Sequence, residues 1–129
     1  MGSRLFHQNK AKRNKEFLAL IDCRKYPDWA VTVAFYVGVH LVESLLAQYR
    51  GGYHSRGYKD RENTLRTCFP AIFAEFNPLY NQSRIARYLD EHISAKSIEE
   101  KSLGERLPKL EKLVGAEIRK LAPKQRARR

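Results

Sequence analysis

Residues 28–49 read DWAVTVAFYVGVHLVESLLAQY, and this stretch decides the fold. Its apolar side chains, Trp29, Val31, Val33, Phe35, Val37, Val39, Leu41, Val42, Leu45 and Leu46, cover every face of a helix, which is the pattern of a helix surrounded by others. The β-branched residues would also suit a strand, but some 22 residues lie far beyond strand length and no Pro or Gly pair divides them. Length decides for helix. Gly38 predicts that another helix approaches closely, and Gly51-Gly52 stop the segment. The longest run free of acidic and basic side chains, Trp29 to Val42, has fourteen residues. That is short of the roughly 20 needed to span a bilayer, so we expect a buried helix and no membrane partner.

Upstream, residues 8–24 place Phe17, Leu18, Leu20 and Ile21 at helical spacing behind Lys10, Lys12, Arg13 and Lys15, an amphipathic first helix. Tyr26-Pro27-Asp28 interrupts it, because proline disfavours helix in the residue before it and suits a first turn. Downstream, residues 50–59 form a loop with three glycines. Asp60 is a plausible N-cap for a third helix over 61–69, which Pro70 ends or kinks. Phe69, Ile72, Phe73 and Phe76 continue an apolar face to Asn77-Pro78, where a fourth helix should begin and run through Leu79, Tyr80, Ile85, Ala86 and Leu89 to about His92. Ser97-Ile98-Glu99-Glu100 resembles a capping box, and a last helix runs from Pro108 to Leu121, where Pro123 stops it. No strand pattern or internal repeat interrupts this series. The expected fold is all-α, an up-and-down bundle of about five helices in one domain.

The chain has 129 residues and a net charge of +11, and the excess lies at its ends. Residues 1–25 contribute +5 and residues 119–129 contribute +6, leaving the body between them neutral. The expected outline is a neutral domain with basic arms at 1–15 (Lys10, Lys12, Arg13) and 122–129 (Lys124, Arg126, Arg128, Arg129). Such arms neutralise phosphates and release counterions, which favours RNA, DNA or acidic surfaces; the alternative is a solubilising tail. Cys23 and Cys68 form neither a CxxC pair nor a His-rich cluster, so neither a disulfide framework nor a zinc site is expected. The N-terminus lacks the pattern of a signal peptide, which reads as cytoplasmic. No phosphate-binding glycine loop, GxSxG, HExxH or Ca²⁺ loop occurs, and no cofactor or metal is expected.

Three features could carry chemistry. The glycine loop and its flanks hold Tyr49, Arg50, Tyr53, His54, Arg56, Tyr58, Lys59, Arg61 and Asn63. Aromatic faces stack on bases while Arg and Lys hold phosphates, as single-stranded nucleic acid is gripped; alternatively the tyrosines lie back on the bundle. The second feature is Arg87 with His92. Cleavage of RNA by its own 2′-hydroxyl needs a proton acceptor and a cation for the charge developing on the phosphate, and His and Arg supply them. On a continuous helix the two side chains would point about 140° apart, so they converge only where the helix ends or distorts, or across a dimer. Pairing of Arg87 with Asp90 or Glu91 on the surface explains the same residues. The third is His40, four residues after Tyr36 and three before Glu43, which could orient its ring; a buried polar network is the alternative. Arg84 shares a helical face with Tyr80 and Arg87, and could join a phosphate site or pair with an acid such as Glu43.

Asp28-Trp29-Ala30 with Phe35-Tyr36, His40 and Glu43, then Lys59 to Asn63, then Tyr80 to Tyr88 with its SRxARY segment, resemble the small HEPN-domain proteins (higher eukaryotes and prokaryotes nucleotide-binding). The likeness covers about residues 26–92. It implies a helical bundle, often a homodimer, in a superfamily containing metal-independent endoribonucleases of toxin–antitoxin and antiviral defence systems. Their active sites carry an Arg followed a few residues on by a His, paired across the dimer, and Arg87 and His92 match it. Tyr88 stands where active members usually place a polar residue. In the catalytic form the resemblance implies, His92 or His40 is the acid/base, Arg87 and Arg84 stabilise the phosphate, and Tyr53, His54 and Arg61 position RNA. An antitoxin or other protein partner belongs to that expectation. Many HEPN domains lack the motif and serve as binding or scaffolding modules, so the rival expectation is a noncatalytic ribonucleoprotein component.

Overall fold

Five helices of eleven residues or more succeed one another: α1 (Arg4–Leu18), α2 (Pro27–Tyr49), α3 (Tyr58–Cys68), α4 (Pro70–Tyr88) and, after a short α5 (Ala95–Ser97) that widens into a π-helix over Ile98–Arg106, α6 (Leu107–Ala127). The structure, a computed structural model, describes residues 3–49, 55–89 and 91–127, with side chains through residue 121. Among the described residues there is no strand, and the fold is an all-α helical bundle.

The first helix lies earlier in the chain than its apolar residues predict. Ser3 caps it by accepting a hydrogen bond from the Phe6 backbone N–H at 3.1 Å. After Leu18, the Asp22 carboxylate accepts from the backbone N–H groups of Arg24 (3.1 Å) and Lys25 (3.3 Å), a local turn that competes with further helix. The inward face is His7 and Ala11, while Phe17 and Leu20 point to water. From Arg4 onward, the expected basic arm over 1–15 is therefore a packed helix lying along α2.

Pro27 opens α2, where its missing N–H costs nothing. By length and composition α2 could cross a bilayer, a longer apolar helix than the fourteen uncharged residues suggest, and 78% of its most apolar window is buried in the bundle. Ala34, Phe35, Val37, Val42 and Leu45 pack with Ala11 of α1, Leu65 of α3, Ile72, Phe76 and Leu79 of α4, and Leu107, Leu110 and Val114 of α6. All-round apolarity predicts complete enclosure, and the enclosure falls short of it. Trp29 and Tyr36, seven residues apart and so on one helical face, are both exposed.

Gly38 does admit a neighbour: a Cβ there would lie 3.2 Å from Leu110 Cδ2 and 3.5 Å from Phe76 Cδ1. Asn77-Pro78, expected to start a helix, sits inside a continuous α4. An interior proline costs about 3 kcal/mol, but Ile72, Phe76, Leu79 and Ser83 share one buried face across it, and their packing holds the axis through the break. Pro123 likewise falls within α6 rather than ending it.

The third helix starts before Asp60. Gly57, with φ 147°, precedes it in a conformation that favours glycine, and Asp60 in the first turn accepts from the Arg56 backbone N–H at 2.8 Å. At the other end of the bundle Ser94, not Ser97, caps the turn of α5. Ile98 at the head of the π-helix then packs on Ala30 and Val31 of α2. Buried Glu75 of α4 receives Arg106 (3.2 Å) and Lys109 (3.1 Å), joining α4 to the C-terminal helices.

Replacing Gly38 by Leu drives a branched side chain into Leu110 and Phe76. The expected cost is about 3 kcal/mol of unfolding free energy, read from urea titrations followed by circular dichroism.

Candidate functional site

Two groups of side chains emerge, and they divide the candidate residues between them. The first is a polar cluster where α1 and α3 meet α2. His7 and His40 face each other with their Nδ1 atoms 2.9 Å apart. Such a contact needs one proton between the rings: one Nδ1 donates an N–H and the other accepts on a lone pair, so the accepting imidazole is neutral. Burial lowers the His40 pKa to about 4, with the His7 ring, Lys10 and Arg61 acting in the same direction and Glu43 opposing them.

Glu43 does not orient His40. Its buried carboxylate accepts from Arg61 Nε at 2.8 Å and from the Ser55 backbone N–H at 3.4 Å. Burial pushes this carboxyl up, but the bonds from Ser55 and Arg61 outweigh it and hold the pKa below the usual carboxylate range. Arg61, expected to hold RNA, is thus consumed in a nearly dry ion pair, and it is Arg61 rather than Arg84 that answers Glu43. Arg4 Nη1 donates to Gln48 Oε1 at 2.9 Å, a further tie between α1 and α2.

The second group gathers around Arg87 near the end of α4. Its Nε donates to the Ser83 carbonyl (3.2 Å) and Nη2 to Ser83 Oγ (3.3 Å), the natural reach of residues four apart on a helix. Nη1 lies 3.4 Å from the Tyr36 hydroxyl and 3.5 Å from that of Tyr88. The guanidinium carbon sits 4.9, 5.3 and 5.8 Å from the ring centres of Tyr88, Phe35 and Tyr36. No carboxylate among the described residues is within 4 Å of it; Glu91 is not, and Asp90 lies outside the described residues. Aromatic faces and neutral oxygens hold this cation, and no acid among the described residues compensates its charge.

A row of rings leads from Arg87 to the start of α3. Phe35 is 5.6 Å from Tyr80, and Tyr80 stacks on Tyr58 at 4.0 Å. Tyr58 is therefore a structural tyrosine as well as a candidate one. Burial, followed by the nearness of Glu62 and Tyr80, pushes its hydroxyl pKa well above the ordinary value. Arg56, Lys59 and Asn63 are exposed at the head of α3, and Arg84 is exposed on α4 with no ion pair among the described residues. Lys10, Lys12 and Arg13 lie on the outer side of α1.

His92 is exposed beyond α4, and no hydrogen bond or ring contact among the described residues joins it to Arg87. Arg50, Tyr53, His54, Arg128 and Arg129 lie outside the described residues, as do the side chains of Lys124 and Arg126. Sequence reading passed over Tyr36, Ser83 and Tyr88 as partners of Arg87. The signals were there: Ser83 is four residues before Arg87, and Tyr36 stands seven after Trp29. His7 was also passed over, its spacing from Ala11 and Leu18 being that of an inward face.

No protein-family model, curated protein or solved structure matches the chain.

Arg61→Met leaves Glu43 buried without its cation and is expected to cost about 3 kcal/mol in chemical denaturation. His40 binds its proton more weakly folded than unfolded, since its folded pKa of about 4 lies under the ordinary 6.5. Acid therefore favours unfolding: the His40 contribution is complete above pH 6.5 and disappears as the pH falls toward 4. Melting temperatures measured from pH 7 to 5 should decline, and His40→Gln should flatten that decline.

Proposed function

We propose that this chain is a HEPN-like RNA-binding protein that takes a backbone phosphate at Arg87. The observation that carries this reading is a guanidinium held by Ser83 and by the rings of Phe35, Tyr36 and Tyr88, with no acid paired to it among the described residues. A cation kept in place, with no acid paired to it among the described residues, suits a charge-assisted bond to phosphate. Exposed Arg84, three residues earlier on the same face, would add a second phosphate contact, and the basic outer side of α1 a diffuse attraction. The resemblance of residues 26–92 to HEPN domains points to the same ligand class and to a homodimer.

The second reading, a metal-independent endoribonuclease, gains from one observation. The helix ends at Tyr88, and Leu89 is extended at φ −110° and ψ 142°. The helical separation of about 140° between Arg87 and His92 therefore does not apply, and His92 is free of the helix that would have turned it away. In this reading His92 takes the 2′-hydroxyl proton, the oxygen attacks the adjacent phosphorus, and the 5′-oxygen leaves. Arg87 stabilises the charge on the phosphate.

Labelled single-stranded RNA in EDTA tests both readings. Arg87→Ala should weaken binding on the order of tenfold and reduce the salt slope of the logarithm of affinity by about 0.7. Unchanged affinity in that variant would sink the phosphate site. Fragments ending in 2′,3′-cyclic phosphate, lost in both Arg87→Ala and His92→Ala, would establish cleavage; RNA bound but intact would leave the binding module.

A further inference from the structure

Helix α1 packs the wrong way round for its composition. His7 and Ala11 are its buried residues, while Leu5 is 63% exposed, Phe6 45% and Phe17 56%. Phe6, Lys10, Arg13 and Phe17 follow one another at intervals of four, three and four residues, so they form one stripe on the outer side, with rings at its ends and cations between. The Lys10 ammonium sits 5.9 Å from the centre of the Phe6 ring. Beyond α1 the apolar surface continues: Phe17 and Leu20, itself 83% exposed, join Tyr26 and Trp29 in a surface groove of about 510 Å³. Large apolar side chains gathered on a folded surface mark a contact with a protein, a ligand or a membrane.

Charge and side-chain type decide among these. Lys10, Lys12 and Arg13 on α1 and Lys25 in the groove make no ion pair among the described residues. Glu16 is the one acid of α1. At the groove, Asp22 accepts from the backbone N–H groups of Arg24 and Lys25, and Asp28 stands in the first turn of α2, where the positive end of the helix dipole compensates it. A second copy on this face would set more like charges together than opposite ones. A nucleic acid would meet the cations, but Leu5 and Leu20 offer no ring for a base to stack on. An anionic lipid surface matches both features: Trp, Tyr and Phe settle between headgroups and acyl chains, leucines go below them, and Lys and Arg reach phosphate along their apolar stems.

We propose that the outer side of α1, with the groove at Tyr26 and Trp29, docks the protein on a membrane surface rich in anionic phospholipid. The mode is interfacial: α1 lies on the lipid while α2 stays within the bundle, so the expectation of no membrane partner, drawn from α2, does not reach it. The fifteen residues of α1 present about 22 Å of helix to the headgroups. Packing on α2 holds this helix already formed. Adhesion then depends on shallow insertion of rings and leucines together with attraction of the cations to the negative surface. The site does not rest on Arg87.

The full chain is mixed with vesicles of phosphatidylcholine alone and of phosphatidylcholine with phosphatidylserine. Flotation reads binding, and the emission of Trp29, the sole tryptophan of the chain, reads insertion. Anionic vesicles should carry the protein, shift Trp29 emission to the blue and quench it when their acyl chains bear bromine; neutral vesicles should bind far less. Leu20→Ser should weaken binding on the order of tenfold, and Arg13→Gln about fivefold. Both side chains are exposed, so each variant should keep the far-ultraviolet spectrum of the parent. Flotation with no change in Trp29 emission and full affinity in Leu20→Ser means adsorption by charge alone and overturns the proposal. Absence of flotation overturns it as well. Emission that responds to RNA and not to vesicles gives the face to nucleic acid, and emission that shifts with protein concentration, with a doubled mass in solution, gives it to a second copy. Either result overturns membrane docking.

Discussion

Helix α2 must be covered, and most of the molecule is what covers it. An apolar helix of 23 residues leaves water only if other helices replace water around it, and each buried leucine or valine side chain contributes about 1.5–3 kcal/mol when they do. Helices α1, α4 and α6 each lie along it, and α3 reaches it through Leu65. Gly38 sets how near they come, since Leu110 and Phe76 occupy the space that any side chain there would take. Even the proline inside α4 is tolerated because one face of that helix is already committed to α2.

A helix so thoroughly enclosed leaves few places for polar groups, which explains the polar cluster's arrangement. Glu43 and His40 point from α2 toward helices that carry their partners, Arg61 on α3 and His7 on α1. Each contact specifies which helix lies against which side of α2, a selectivity that apolar packing alone does not supply. The same neighbours disfavour a charge on His40, because burial, the His7 ring, Lys10 and Arg61 all oppose a proton there. Residues of catalytic type are thus present in the core while their ionisation is spent on architecture.

The central helix, the close approach at Gly38 and the all-α class were legible in the amino-acid sequence, because length and apolar density decide them without knowledge of neighbours. Helix ends were less so. The cap at Ser3 and the turn at Asp22 shift α1 toward the N-terminus, and both act through single side-chain bonds that hydrophobic periodicity does not register. Pro78 and Pro123 were read as breaks because local propensity argues so; at Pro78 the packing of α4 against α2 overrides it. The candidate site was legible in part. Arg87 was found by residue type, whereas its partners Tyr36 and Phe35 come from a helix fifty residues earlier, a proximity no local pattern encodes.

Arg87 also shows why spacing alone misleads about surface arginines. Glu91, four residues downstream, would meet it on a continuing helix, yet α4 ends one residue later, Leu89 is extended, and Glu91 makes no ion pair with it. The guanidinium turns instead back along the helix to Ser83 and across to α2. Cation–aromatic contacts are worth about 0.5–2 kcal/mol, enough to hold a side chain in place but far from neutralising a charge. An ion pair would have fixed the same side chain and cancelled its field. By ending α4 at Tyr88 and surrounding the cation with rings, the fold orders Arg87 with no acid paired to it among the described residues, the combination on which the proposed phosphate contact depends.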